Sequence, residues 1–195
     1  ELSFTVGVAT GRAGRSELLT GAYGGPLASV LTGRSFTPPT VAATRTEMWT
    51  VRNGTEVVRV PSGAAPQTVT ATSLQSLGSV RQLQLSPDGV RAAIVVEPDT
   101  GPALYLGTVV RSEESAVVLR DLQEVAPDLT GATDVAWRDS GRLIVLADAP
   151  SGDGAVPFEV GVDGYGLTEV PDSGLPGEPT DVAAAPNREP LVSAA

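Results

Sequence analysis

The chain has 195 residues, enough for a domain with a sizeable core, and carries a formal charge of −10. It contains no cysteine and no histidine, which excludes a disulfide framework, a thiolate nucleophile, a Ser-His-Asp triad and a Cys/His zinc site. The charge argues against a phosphate-reading surface for nucleic acid or an anionic membrane, so oxygen-ligand sites and paired carboxylates are the chemistries left to test.

From Phe4 to Ala9 the run Phe-Thr-Val-Gly-Val-Ala predicts a strand, and Thr10-Gly-Arg-Ala-Gly14 a turn. Short strands follow at 17–20 and 27–31, split by the Gly-rich segment 21–26. Residues 47–51 and 56–60 flank Asn53-Gly54, the strongest hairpin signal in the chain, because this dipeptide accepts the positive φ that a tight turn demands. A polar strand is expected at 67–71.

The clearest unit lies at 80–96. Leu83 and Leu85 alternate with Gln82 and Gln84, Ser86-Pro87-Asp88-Gly89 makes a turn, and the unbroken apolar run 92–96 is a buried strand. Further strands are expected at 104–110 and 116–119. The unit recurs at 134–146, where an alternating strand, a turn ending in Gly141 and an apolar strand precede strands at 156–160 and 168–170. It begins again at 181–187 and 191–195. No helix is expected; spans 112–120 and 121–129 are ambiguous, and Pro127 weakens the second.

Aligning Pro38, Pro87, Asp139 and Pro186 gives a period of roughly fifty residues with about four short strands in each copy. That is the signature of an all-β fold, a β-propeller, whose blades of four antiparallel strands pack radially around a channel; a β-sandwich has no such period. Phe36, Leu85, Trp137 and Ala184 stand two residues before the aligned positions and are expected in the core between blades. About four blade units are visible across residues 1–195, the first lacking its leading strand and the last its trailing ones. The segments 4–9 and 191–195 both read as second strands, so the sequence is expected to be an excerpt of a larger propeller.

The ordered series of motifs 85–96, 104–106, 133–138, 143–146 and 179–186, in a chain whose basic residues are all arginine, resembles the C-terminal propeller region of the actinobacterial lipoprotein LpqB family. The resemblance covers about residues 18–193. It implies an extracytoplasmic protein, anchored through an acylated cysteine upstream of this segment, with a sporulation/germination-type domain between anchor and propeller. It also implies a partner, the outer domain of the sensor kinase of the MtrA/MtrB two-component system; an interaction module of this kind is expected to have no activity of its own.

The residues themselves assign no catalytic, cofactor-binding or metal-ligating position and call for no cofactor. Asp88 precedes a turn glycine and is expected to serve the turn. Asp134, Asp139, Asp148, Asp153 and Asp163 form the densest carboxylate series, yet the D-x-[DN]-x-[DN]-G spacing of a calcium loop is absent. Ser151-Gly-Asp-Gly154 reads as a loop tip. Thr10-Gly-Arg-Ala-Gly-Arg15 lacks the Lys-Ser/Thr of a phosphate loop. Two functions are therefore weighed: a non-catalytic interaction module, and a ligand-binding or glycan- or peptide-processing propeller whose channel gathers carboxylates and arginines. A structure separates them by what lines the channel.

Overall fold

The computed structural model describes residues 4–10, 14–22, 24–41, 46–112, 116–152, 154–170, 179–183 and 191–194. Its strands are β1 (Phe4–Thr10), β2 (Ser16–Ala22), β3 (Ala28–Gly33), β4 (Thr40–Val41), β5 (Glu47–Arg52), β6 (Glu56–Pro61), β7 (Gln67–Thr68), β8 (Ser79–Leu85) and β9 (Arg91–Glu97). They continue as β10 (Ala103–Arg111), β11 (Val117–Glu124), β12 (Asp134–Trp137), β13 (Arg142–Asp148), β14 (Ala155–Gly161), β15 (Thr168–Glu169), β16 (Pro179–Ala183) and β17 (Leu191–Ala194). A 3-10 turn spans Thr72–Ser76.

Antiparallel pairing sorts the strands into consecutive sheets: β1-β2-β3, β4-β5-β6-β7, β8-β9-β10-β11, β12-β13-β14-β15 and β16-β17. These are the blades of a β-propeller. The first strands β4, β8, β12 and β16 neighbour one another around the axis, and each fourth strand leads back to the next blade's first. β1 and β17 both take the second-strand position of their blades.

The apolar runs now have a cause. A second strand lies between two neighbouring blades, so both of its faces are covered and alternation disappears. Ala92, Ile94 and Val96 of β9 pack toward the β4–β7 blade with Trp49, Val51 and Leu83, while Ala93 and Val95 pack toward the β12–β15 blade with Trp137, Leu143 and Val145. In β13, Leu143, Val145 and Ala147 face one way, and Ile144 and Leu146 face Val182 of the next blade. The core is thus a row of four inter-blade layers, the remaining one joining Leu18 to Met48, Val58 and Val60.

The hairpin at Asn53-Gly54 forms as expected, both residues having positive φ, 54° and 87°. Position 67–71 is shorter than expected as a ladder, but Thr70 then bridges Val118 in parallel, with Leu119 N donating to Thr70 O at 2.8 Å, and so ties two outer blade edges together. Of the ambiguous spans, residues 117–124 form β11, residues 125–129 are irregular with a turn, and 113–115 lie outside the described residues. Asp121 sits at φ 55°, and it and Leu122 together face Gly107 of β10 in a bulge. A Cβ on Gly107 would lie 2.6 Å from Leu122 Cδ2, so glycine makes the room.

One alignment is corrected. Phe36 and Pro38 do not fill the slots of Leu85 and Pro87. The residues opposite the second position of each neighbouring strand are Val41, Leu85, Trp137 and Val182, facing Met48, Ala92, Leu143 and Val192. Phe36 lies at the other end of its strand, bridged to Arg52, and half-buried against Leu18 and Met48. Pro38 and Pro39 carry no N–H, so they interrupt this first strand instead of turning it. Ala184 and Pro186 lie outside the described residues.

Ile94 is fully buried at the centre of the second strand of its blade. Ile94→Ala is expected to lower the unfolding free energy by about 2–5 kcal/mol, read by urea denaturation, since neither neighbouring blade can collapse into the space.

Candidate functional site

The first strands end together at one end of the propeller, where a cavity of about 350 Å³ opens between Thr40, Val41, Gln84, Leu85, Ser86, Pro87, Ala136, Trp137, Val182 and Ala183. Four blades contribute, and none of these lining side chains is ionisable. The polar ones are partly committed to each other. Thr40 Oγ1 donates to Gln84 Oε1 at 3.0 Å, and the Trp137 indole N–H donates to Gln84 O at 3.0 Å. Trp137 therefore closes one wall of the cavity while its other face fills the layer behind it. Leu85 and Trp137 are the bulky inter-blade residues that the repeat predicts.

The turns beside the mouth are held by carboxylates. Asp88 Oδ1 accepts from Ser86 Oγ at 2.5 Å and from Val90 N at 3.1 Å, and Gly89, at φ 71°, donates to Ser86 O at 2.8 Å. Burial pushes the Asp88 carboxyl up, but these hydrogen bonds and the Arg91 charge outweigh it and hold it below its ordinary value. Asp88 is a turn residue, as expected. Arg91 reaches across to the next blade, donating to Ser140 O at 2.9 Å.

An ionic cluster that sequence reasoning missed stands at the same end. Glu47 is 7% exposed; its Oε1 accepts from Arg111 at 2.6 Å and from the Trp49 indole at 3.0 Å, and its Oε2 from Arg59 at 3.2 Å. Arg111 also donates to Gly89 O at 2.5 Å, with its guanidinium 6.0 Å from the Trp49 ring centre. One carboxylate thereby joins two blades and a turn. Burial pushes Glu47 up, but the hydrogen bonds from Arg111 and Trp49 and the two guanidinium charges hold it below its ordinary 4.5. No local motif signals this contact, because Glu47 and Arg111 are 64 residues apart.

The carboxylate series at 134–163 is dispersed. Asp134 Oδ2 accepts from Val182 N at 2.9 Å, latching two blades, and burial raises its pKa. Asp139 Oδ1 accepts from Gly141 N at 2.7 Å and Asp163 Oδ1 from Tyr165 N at 3.0 Å, so both serve turns. Asp148 ends β13 at the opposite end of the blade, against Gly131, and Asp153 lies outside the described residues. Among the described residues no three acidic groups gather to hold a metal ion. Thr10 and Ser16 pair across a β1–β2 hairpin, whose tip, 11–13, is outside the described residues, as is part of the 151–154 loop.

The two ends differ in surface. Around the cavity, Arg59, Arg91, Arg111, Arg138 and Arg142 balance Glu47, Asp88, Asp139, Glu159 and Asp163, with Glu159 paired to both Arg138 and Arg142. The far end has an excess of acids, with Glu97, Asp99, Glu124, Asp128 and Asp148 on its strand ends and turns beside Arg15, Arg34, Arg52 and Arg81. Of the six large exposed apolar side chains among the described residues, Leu27, Val41, Val90, Tyr165 and Leu167 stand at the cavity end; Val8 is the sixth.

Solved structures place this architecture among β-propellers. TolB from Acinetobacter baumannii is 13% identical with a TM-score of 0.61, covering 88% of this chain and 41% of that one. A chain of the nidogen/laminin complex is 8% identical with a TM-score of 0.65, covering 97% and 71%. At these identities the likeness is one of fold. The narrower relationship comes from sequence: the family model described as the lipoprotein LpqB beta-propeller domain matches residues 3–195, and the chain belongs to that family. Lipoprotein LpqB of Corynebacterium diphtheriae is 33% identical over 147 residues, 72% of this chain and 25% of the relative. That of Rhodococcus opacus is 33% identical over 168 residues, 82% of this chain and 27% of the relative. The chain thus spans about a quarter of the curated relatives it matches. They are named as lipoproteins, not as enzymes, and no helix among the described residues is long and apolar enough to cross a membrane.

Glu47 supplies a pH dependence. Its folded pKa is depressed, so its stabilisation is present above the unfolded value of 4.5 and is lost as pH falls through the lower folded value. Glu47→Gln is expected to cost about 1.5–3 kcal/mol at pH 7 and to flatten thermal stability over that acidic window, measured by melting temperature against pH. Trp137→Phe, which removes the indole donor and leaves part of the layer behind it unfilled, is expected to cost about 2–3 kcal/mol in the same assay.

Proposed function

We propose that this propeller is a non-catalytic interaction module of an extracytoplasmic lipoprotein, which binds and modulates the outer domain of an MtrB-type sensor kinase. Family membership supports the lipoprotein setting, with the lipid anchor supplied by a region outside this segment. The observation that carries the module reading is the uncharged cavity lining. Hydrolysis of a glycan or peptide, or tight capture of a charged ligand, calls for acids, bases or counter-charges converging where the ligand sits. Here four blades converge on hydroxyl, amide, aliphatic and indole groups, and the carboxylates nearby are engaged by turns or arginines. A face without committed chemistry suits protein contact.

The test is direct binding of the intact lipoprotein, in detergent or nanodiscs, to the purified extracytoplasmic sensor domain. Saturable binding with a Kd of about 10 μM or tighter is expected. Absence of binding up to about 100 μM would overturn the proposal.

A further inference from the structure

Resting on the interaction-module reading, we infer that the cavity end of the propeller is the docking face, and that its occupant is a protein segment with an uncharged, apolar tip. Three observations converge on this end. First, it holds the cavity, and a charge inserted there would lose its hydration without meeting a counter-charge on the lining side chains. The complementary occupant is neutral.

Second, the exposed apolar side chains collect here. Val41 lines the cavity itself and Val90 tops the adjoining β8–β9 turn. Tyr165, 79% exposed, and Leu167 stand on the β14–β15 connection, which returns to the same end because Val162 N donates to Gly141 O at 3.0 Å. A tyrosine with a free ring beside aliphatic neighbours is the side-chain chemistry that protein interfaces favour at their centres.

Third, charges at the cavity end are met within the propeller: Glu47 pairs with Arg59 and Arg111, and Glu159 with Arg138 and Arg142, so an apolar partner covers groups already paired. The turns carrying the apolar residues are also stiff. Asp88, Ser86 and Arg111 fix the turn under Val90, and Asp163 fixes the start of the loop bearing Tyr165. A preorganised apolar face loses little entropy when it is covered.

The experiment uses the intact lipoprotein and the extracytoplasmic sensor domain as partner, comparing wild type with Val90→Asp, Tyr165→Ser and, as a control on an exposed far-end turn, Thr100→Asp. Each variant is first matched to wild type by melting temperature. Because Val90 and Tyr165 are exposed on separate turns, one remains informative should the other perturb folding. The expected result is a rise in Kd of about tenfold or more for Val90→Asp and for Tyr165→Ser, with Thr100→Asp unchanged. Wild-type binding with unaltered Kd in both face variants would overturn the docking face and leave the module reading standing. No binding by wild type would overturn the module reading and, with it, this assignment. Sedimentation showing a wild-type dimer that Val90→Asp dissociates would overturn the assigned occupant in favour of a second copy of the chain.

Discussion

Everything in this structure depends on two-sided burial of the blade interiors. A four-stranded sheet buries little by itself, and a row of such sheets becomes stable when every second strand is covered on both faces. Ala92 to Val96 of β9 and Leu143 to Ala147 of β13 are almost fully buried for that reason, and their alternate residues belong to different layers. The constraint also dictates where chemistry can stand. With the interiors apolar, polar groups are driven to the strand ends and turns, where they either hold the turns or meet a partner.

Ionic contacts reinforce the stacking in a repeated place with changing sign. Glu47 begins β5 and reaches Arg59, which lies opposite Trp49; Arg142 begins β13 and reaches Glu159, which lies opposite Ile144. The register is the same and the charges are exchanged. Only the first of these recruits an arginine from the neighbouring blade, Arg111, and it is the more deeply buried. The structural repeat thus preserves a geometry while each blade chooses its own residues, which explains why the period is visible in turns and apolar runs but not in charges.

Much of the fold was legible because its local signals agree: glycine and asparagine at positive φ close hairpins, and unbroken aliphatic runs mark two-sided burial. The failures have physical causes. Pro38 mimics the turn proline at 87, yet it interrupts a strand; it lacks the Asp-Gly that follows Pro87 and closes that turn, and the match in period outweighed this difference. At Asp121 a bulge shifts the alternation of β11 and splits one strand into two ambiguous spans. The candidate site was less legible still. Its lining comes from four blades, and the Glu47–Arg111 contact, the inter-blade bond from Trp137 to Gln84 and the gathering of exposed apolar residues at one end all follow from closure in space. The sequence did show which carboxylates serve turns, since an acid two residues ahead of a turn's end bonds locally in Asp88, Asp139 and Asp163 alike.

The central claim is that a neutral, apolar-dotted end of an otherwise acidic propeller meets a protein partner. Amide hydrogen exchange of the intact lipoprotein, with and without the extracytoplasmic sensor domain, tests it most directly. The account predicts slowed exchange on partner addition in the cavity-end segments 86–90 and 162–167, with the far-end turns 53–55 and 98–102 unchanged. Protection confined to the far-end turns, or absent from the propeller while the partner is bound, would contradict it.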